Sequence, residues 1–180
     1  MKTPAALLAL GLALAVCGSA PAPAVAYQAP RNAANLPALT GRVVDTAGLL
    51  TPAEEAGLTA ELAALEQRTS DQLVVVTTRT FGGRSIDQYG LALGNSWHIG
   101  QRGKDNGVLL IVAPNQRQVR IEVGYGLQAI LTNARAQRIV DDAILPQFRQ
   151  SRWREGIEEG ARAIIAILIA HADEPRRGRS

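Results

Sequence analysis

Cysteine is almost missing from the chain: among 180 residues there is one, Cys17. It falls in a leader-like segment, so the remainder has no thiol, which excludes disulfides, zinc–thiolate sites and a thiol nucleophile together. Aromatic residues make up only 4%, so the core must be filled by Ala, Val, Ile and Leu, and no broad stacking platform is expected. Neither sign of charge is in large excess, with 19 Lys and Arg against 16 Asp and Glu. Removing the leader takes away Lys2 and no acid, turning the formal +3 into +2, too little to point to nucleic acid. Long apolar runs are also lacking, because Ala5 to Val16 falls short of the roughly 20 residues that span a bilayer.

What is present begins with an export signal. Lys2 gives a positive start, Ala5 to Val16 an apolar run and Ala24-Val25-Ala26 a small-residue cleavage pattern, so residues 1–26 read as a signal peptide and the mature chain as periplasmic or secreted. A second reading makes Cys17 the lipid-modified residue of a lipoprotein, although Val16 fits poorly before such a Cys. Residues 27–40, rich in Ala, Pro and Asn, read as a flexible linker. Residues 41–171 form the domain, and 172–180 a basic tail that reads as solvated.

Within the domain, a short strand is expected at Arg42 to Val44. Asp45 to Leu50 then turns into a helix marked by Thr51 as N-cap, Pro52 at its first position and Glu54 three residues after the cap. Leu58, Leu62 and Leu65 give it one apolar face. Leu73 to Thr78 is a continuous β-branched run of the kind covered on both faces, so helices are expected on both sides of a sheet. Ser85 with Gln88 forms a second capping box, ahead of a stripe of Ile86, Tyr89, Leu93 and Trp97. Val108 to Val112 and Val119 to Val123 pair as a hairpin through Pro114-Asn115-Gln116, and the alternation in the second run gives it one polar face. Thr132 caps a helix that Pro146 should end. Trp153 to Ala170 supplies the last helix. Its apolar end, Ile164 to Ile169, is too short to span a membrane, and core packing is favoured over a surface contact with lipid. The order gives an α/β fold: a three-layer α/β/α sandwich on a mixed, partly antiparallel sheet of about four strands.

The stretch from Trp97 to Gly126 is where function is expected. If the hairpin forms, the loop holding Asp105-Asn106-Gly107 and the loop Gly124-Tyr125-Gly126 fall at one edge of the sheet. A calcium site needs about six to eight oxygens, and Asp45, Asp105 and Asn106 are the best side-chain candidates, with backbone groups of Gly107, Gly124, Tyr125 and Gly126 around them. The plainer reading makes Asp105-Asn106-Gly107 a turn and has Asp45 brace the next helix. Arg120 and Glu122 read as a paired or solvated strand face, Asp141-Asp142 as surface charge, and His98 as packed or hydrogen-bonded. No nucleophile–base pair for a conventional phosphatase is visible.

The motifs Val44-Asp45 through Leu50, Trp97-x-Ile99-Gly100, Asp105-Asn106-Gly107-Val108-Leu109-Leu110 and Arg120-Ile121-Glu122-Val123-Gly124-Tyr125-Gly126-Leu127 resemble the TPM domain family, known from a thylakoid-lumen photosystem-repair protein and bacterial envelope proteins. The likeness runs from about Gly41 to Leu168. It implies an α/β/α sandwich facing an extracytoplasmic space, calcium as the ion bound by some members at the sheet end, and an unidentified envelope or membrane protein as partner. It also implies, as an alternative, the weak acid phosphatase activity attributed to the plant member. A third reading is a purely structural interaction domain. Gln128 and Asn133 stand where the family often has acids, which leaves less charge for a metal.

Overall fold

The first two helix starts are set by side chains that satisfy the backbone donors a helix leaves free at its N-terminus. A computed structural model describes residues 36–173, so the signal-peptide reading, most of the linker and most of the basic tail lie outside the described residues. Thr51 caps α1 (Pro52–Thr69) by accepting from the Glu54 N–H, while the Glu54 carboxylate accepts from the Thr51 N–H at 2.7 Å. Ser85 and Gln88 do the same for α2 (Ile86–Trp97). β1 (Val43–Asp45) precedes α1, β2 (Gln72–Thr77) lies between the two helices, and β3 (Gly107–Ala113) and β4 (Gln118–Val123) follow α2.

The sheet order is β1-β2-β3-β4. The first three strands are parallel, and β4 returns antiparallel to β3 with Val108 opposite Val123 and Ala113 opposite Gln118. The expected hairpin is therefore present, in the expected register. The chain forms an α/β fold on a mixed four-stranded sheet.

Alternate residues divide the core into two layers, as the two-residue strand period requires. Val43, Val75, Val108, Leu110 and Ile121 face α1 and the C-terminal helices. Val44, Val74, Val76, Leu109 and Ile111 face Phe81, Tyr89 and Leu93. β1, β2 and β3 thus step across the sheet in one direction, while α1 and α2 cover opposite faces. Two crossovers that step the same way on opposite faces have opposite hands, so one of them departs from the right-handed rule.

The first layer is completed by α3 (Asn133–Ile139), a π turn (Val140–Ile144), α4 (Leu145–Phe148) and α5 (Trp153–Asp173). Here the expectation for Pro146 is corrected. The helical path continues to Phe148, because the wider π turn reorganises the bonds around a residue that cannot donate one. Ile144, at the end of that turn, packs on Gly160 so closely that a Cβ there would lie 2.6 Å from its side chain. In α5, Ile157, Ala161, Ile164 and Leu168 are fully buried. No helix among the described residues is long and apolar enough to cross a membrane.

Candidate functional site

The loop from Gly100 to Asn106 owes its shape to one buried amide. Asn106, 5% exposed, accepts from the Gln101 N–H at 2.8 Å. Its own NH2 donates to the Ser70 carbonyl at 2.8 Å and to Asp71 Oδ1 at 3.1 Å. Gln72 adds a second tie, accepting from the Gly100 N–H at 2.7 Å. The loop is therefore pinned to the end of α1 and the start of β2, and Asp105 projects from it at a φ of 47°, a left-handed conformation that Asp tolerates better than most residues.

The second loop folds onto the first. Gly126 donates to the Asp105 carbonyl at 3.1 Å, and Gly124 to the Gly107 carbonyl at 2.8 Å. Gly124 and Gly126 are required for proximity rather than for an unusual φ: a Cβ on either would collide with the carbonyl oxygen of Asp105 or Lys104 respectively. Gly107 is confined in the same way, since a Cβ there would lie 2.5 Å from the Ile99 carbonyl oxygen. The three glycines let two backbone segments lie against one another, and Tyr125 is left standing outward, 84% exposed.

Beside this junction, between α2 and the end of β4, lies a groove of about 280 Å³ lined by Asn95, Asp105, Glu122, Tyr125 and Gln128, with Gly90 and Gly94 as its helix wall. Leu91, 60% exposed, stands on its rim. Glu122 is engaged by Arg120 at 2.6 Å, and Arg120 in turn pairs with Asp87 of α2. The Asp105 carboxylate is exposed, and no hydrogen bond or ion pair holds it among the described residues. Of the two groove carboxylates, it is the one with capacity for a ligand.

The three expected side-chain ligands are not brought together. Asp105 and Asn106 are neighbours, but the Asn106 amide is consumed by the loop it staples. Asp45 sits level with Thr77, while Gly107 sits level with Gln72. At about 3.3 Å per residue, five residues of parallel strand separate the two ends of the sheet by roughly 16 Å. Asp45 instead accepts from the Gly48 and Leu50 N–H groups at 3.1 and 2.8 Å and from the Thr77 hydroxyl, bracing the approach to α1. The reading of Asp45 as a ligand beside Asp105 is corrected accordingly, and among the described residues no three His, Cys, Asp or Glu side chains converge. His98, expected to be packed or bonded, is an exposed C-cap of α2 in the left-handed conformation. Asp141 accepts from Gln137 at 3.0 Å on the surface.

Sequence reasoning passed over Asn95 and Leu91. Leu91 carried a signal: it lies on the side of α2 opposite the Ile86, Tyr89, Leu93 and Trp97 stripe, where an apolar residue gains nothing from the core. The groove's donors are carboxylate, amide and carbonyl oxygens, the set that suits a hard divalent cation. Among the lining side chains, Asp105, Asn95 and Gln128 are the ones that could offer oxygens to such an ion, and with one free carboxylate it would be held weakly and keep several waters.

A family model described as the TPM domain matches residues 43–167. No curated protein matches the chain. Among solved structures, the N-terminal domain of a protein from P. gingivalis is 34% identical with a TM-score of 0.69, the alignment covering 74% of this chain and 85% of that one. The BA42 protein of the psychrophilic bacterium Bizionia argentinensis is 20% identical with a TM-score of 0.59, over 68% of this chain and 83% of its own. The N-terminal domain of the cg2496 protein of Corynebacterium glutamicum is 19% identical with a TM-score of 0.55, over 82% and 90%. The last two likenesses concern the fold alone.

Proposed function

This chain belongs to the TPM domain family, and we propose that it acts as an exported binding module that holds calcium weakly at Asp105 and offers the adjoining groove to an envelope or membrane protein. The observation that carries the reading is the exposure of Tyr125 and Leu91, 84% and 60%, on the rim of the groove that also contains the uncommitted carboxylate of Asp105. Large apolar side chains held in water beside a polar cleft mark interaction surfaces. The ion's part is electrostatic and positional: it would draw Asp105, Asn95 and Gln128 together and stiffen the groove wall next to Tyr125. Export is part of the proposal and rests on the leader pattern in residues 1–26.

Calcium titration followed by amide NMR tests the site. Saturable shifts are expected at Asp105 and its groove neighbours, with affinity of about 10⁻⁴–10⁻³ M as in other weak extracellular sites. Asp105→Asn should weaken binding at least about tenfold, the effect of about 1.4 kcal/mol, and Asp45→Asn should leave it unchanged. Equal binding by Asp105→Asn and the parent chain would remove the site from Asp105. A partner captured from envelope extract should depend on both calcium and Tyr125. Phosphomonoester turnover by the same preparation, abolished in Asp105→Asn, would replace the binding-module reading with the enzymatic one.

A further inference from the structure

Two strands bound the sheet, β1 with three residues and β4 with six. The hydrogen-bond phase of β4 is fixed at both sides of β3. Gly124 donates to the Gly107 carbonyl, and the Val112 carbonyl accepts from Thr78 on the β2 side at 2.9 Å. In an antiparallel ladder, alternate residues turn both backbone groups toward the same neighbour. Gln118, Arg120 and Glu122 therefore bond to β3, and Val119, Ile121 and Val123 direct their N–H and C=O groups outward. Among the described residues, only a long contact from Gln128 to the Val123 carbonyl, 3.5 Å, reaches any of them. An open groove of about 290 Å³ runs beside this edge, between Ile86 of α2 and Asn133, Ala136 and Gln137 of α3.

An unpaired edge of this length is a template for another strand unless its side chains repel one. The side chains here are self-complementary. Arg120 and Glu122 are two residues apart, on the α2 face of the sheet. When a second copy of β4 is laid antiparallel with Ile121 opposite Ile121 of that copy, the outward groups of Ile121 meet their own counterparts. Those of Val119 meet Val123. Each such pair exchanges two hydrogen bonds. The same alignment sets Arg120 opposite Glu122 of the second copy, twice over, at non-hydrogen-bonded positions where cross-strand side chains come closest. The neighbouring registers that keep the hydrogen bonds in phase set Arg120 against Arg120 or Glu122 against Glu122. Charge thus selects one register, and the pairing it selects is isologous, so it closes at two copies.

We propose that the outer edge of β4 is a homodimer interface at which two copies of the chain pair antiparallel about Ile121, joining their sheets into one. The interface lies along the outer edge of the strand; Glu122 also lines the groove at Asp105, but the pairing needs no ion and is read from association and from exchange at the outward amides, so its failure is distinguishable from failure of the calcium reading.

Sedimentation equilibrium of the purified chain tests it together with Arg120→Glu and Glu122→Arg. The parent chain should dimerise, and each variant alone should dimerise at least about tenfold more weakly, since both cross-strand pairs become like-charged. An equal mixture of the two variants should recover dimerisation as a heterodimer, because the two acids on the strand of the first variant then face the two bases on the strand of the second. Recovery on mixing also separates the effect from misfolding. In parallel, amide exchange at Val119, Ile121 and Val123 should slow as protein concentration rises, while exchange at Arg120 and Glu122 stays constant. A chain that remains monomeric at about millimolar concentration, a dimer indifferent to the two charges, exchange at the three outward amides that ignores concentration, or an edge that takes an extended peptide without self-association would each overturn the proposal.

Discussion

Asn106 shows why residue type alone misassigns a ligand. An amide oxygen in an Asp-Asn-Gly loop is a reasonable donor for a hard cation, yet here the oxygen is taken by the Gln101 N–H and the nitrogen by Ser70 and Asp71. The two roles predict opposite results for one substitution. Asn106→Asp would strengthen calcium binding if the side chain were a ligand. As a staple it loses both donors and puts a carboxylate beside Asp71, so the expected result is a loss of about 1–3 kcal/mol in stability, the penalty for leaving buried polar groups unsatisfied, with no gain in calcium affinity. Urea unfolding and calcium titration of the same variant check this, and unchanged stability with tighter binding would return Asn106 to the metal site. The glycines teach a related lesson. Gly124 and Gly126 look like conformational hinges in sequence, but their use is to let the Asp105 and Lys104 carbonyls come near.

At the scale of elements, α1 carries the clearest signals. Its capping box holds the Glu54 carboxyl below the ordinary value, chiefly through the Thr51 backbone and then its hydroxyl. Glu66, near the other end, is held low by Gln72 and then by Arg42 at 2.5 Å. A carboxyl with a depressed folded-state pKa adds stability that is present above its unfolded value and is lost as pH falls through the folded one. Stability should therefore hold near neutrality and decline as pH drops below the ordinary glutamate value of 4.5. Thr51→Ala should cost about 1 kcal/mol at pH 7, and less at low pH, where the Glu54 half of the box is also lost. Denaturant titrations at pH 7 and pH 3 measure the difference. An equal loss at both pH values would mean that the two halves of the box act separately. Elsewhere the π turn at Val140–Ile144 is a local solution to Pro146, and it also delivers Ile144 onto Gly160.

For the whole molecule, the sheet is a partition between unequal layers. One face carries α1, α3 to α5 and most of the buried aliphatic residues, and the other is covered by α2 with Phe81 and Tyr89. Stability should reside in the larger layer. Ile164 is fully buried between α5 and the sheet, and Ile164→Ala should cost about 2–5 kcal/mol, as removal of a large core side chain does. The ion pairs that join α1 to α5, Arg154 with Glu54 at 3.1 Å, Arg162 with Glu61 at 2.9 Å and Arg68 with Asp173, are partly or largely exposed. Solvent screening leaves such pairs little weight in stability. Thermal melts with and without about 0.5 M salt, a concentration that screens exposed pairs, should therefore differ much less than melts of the parent and Ile164→Ala. A salt effect as large as the core substitution would reverse the ranking. The thinner α2 layer leaves room for the groove, since Gly90 and Gly94 keep that helix close to β3 and β4 without filling the space beyond Glu122.

The sequence by itself determined the elements whose causes are local. Thr51, Ser85 and Thr132 marked three helix starts because a cap acts within four residues, and alternation in Val119 to Val123 revealed the half-polar strand. It also determined that the two glycine loops meet, since a hairpin of known length leaves little choice. Tertiary structure alone decided where parallel strands begin and end relative to one another, which set Asp45 at the far end of the sheet from Asp105. It alone placed α1 and α2 on opposite faces, supplied Ser70 and Asp71 as partners that consume Asn106, and left the outward side of β4 without a neighbouring strand among the described residues. Each of these depends on residues distant in sequence, and neither propensity nor spacing within one segment carries information about what lies across from it.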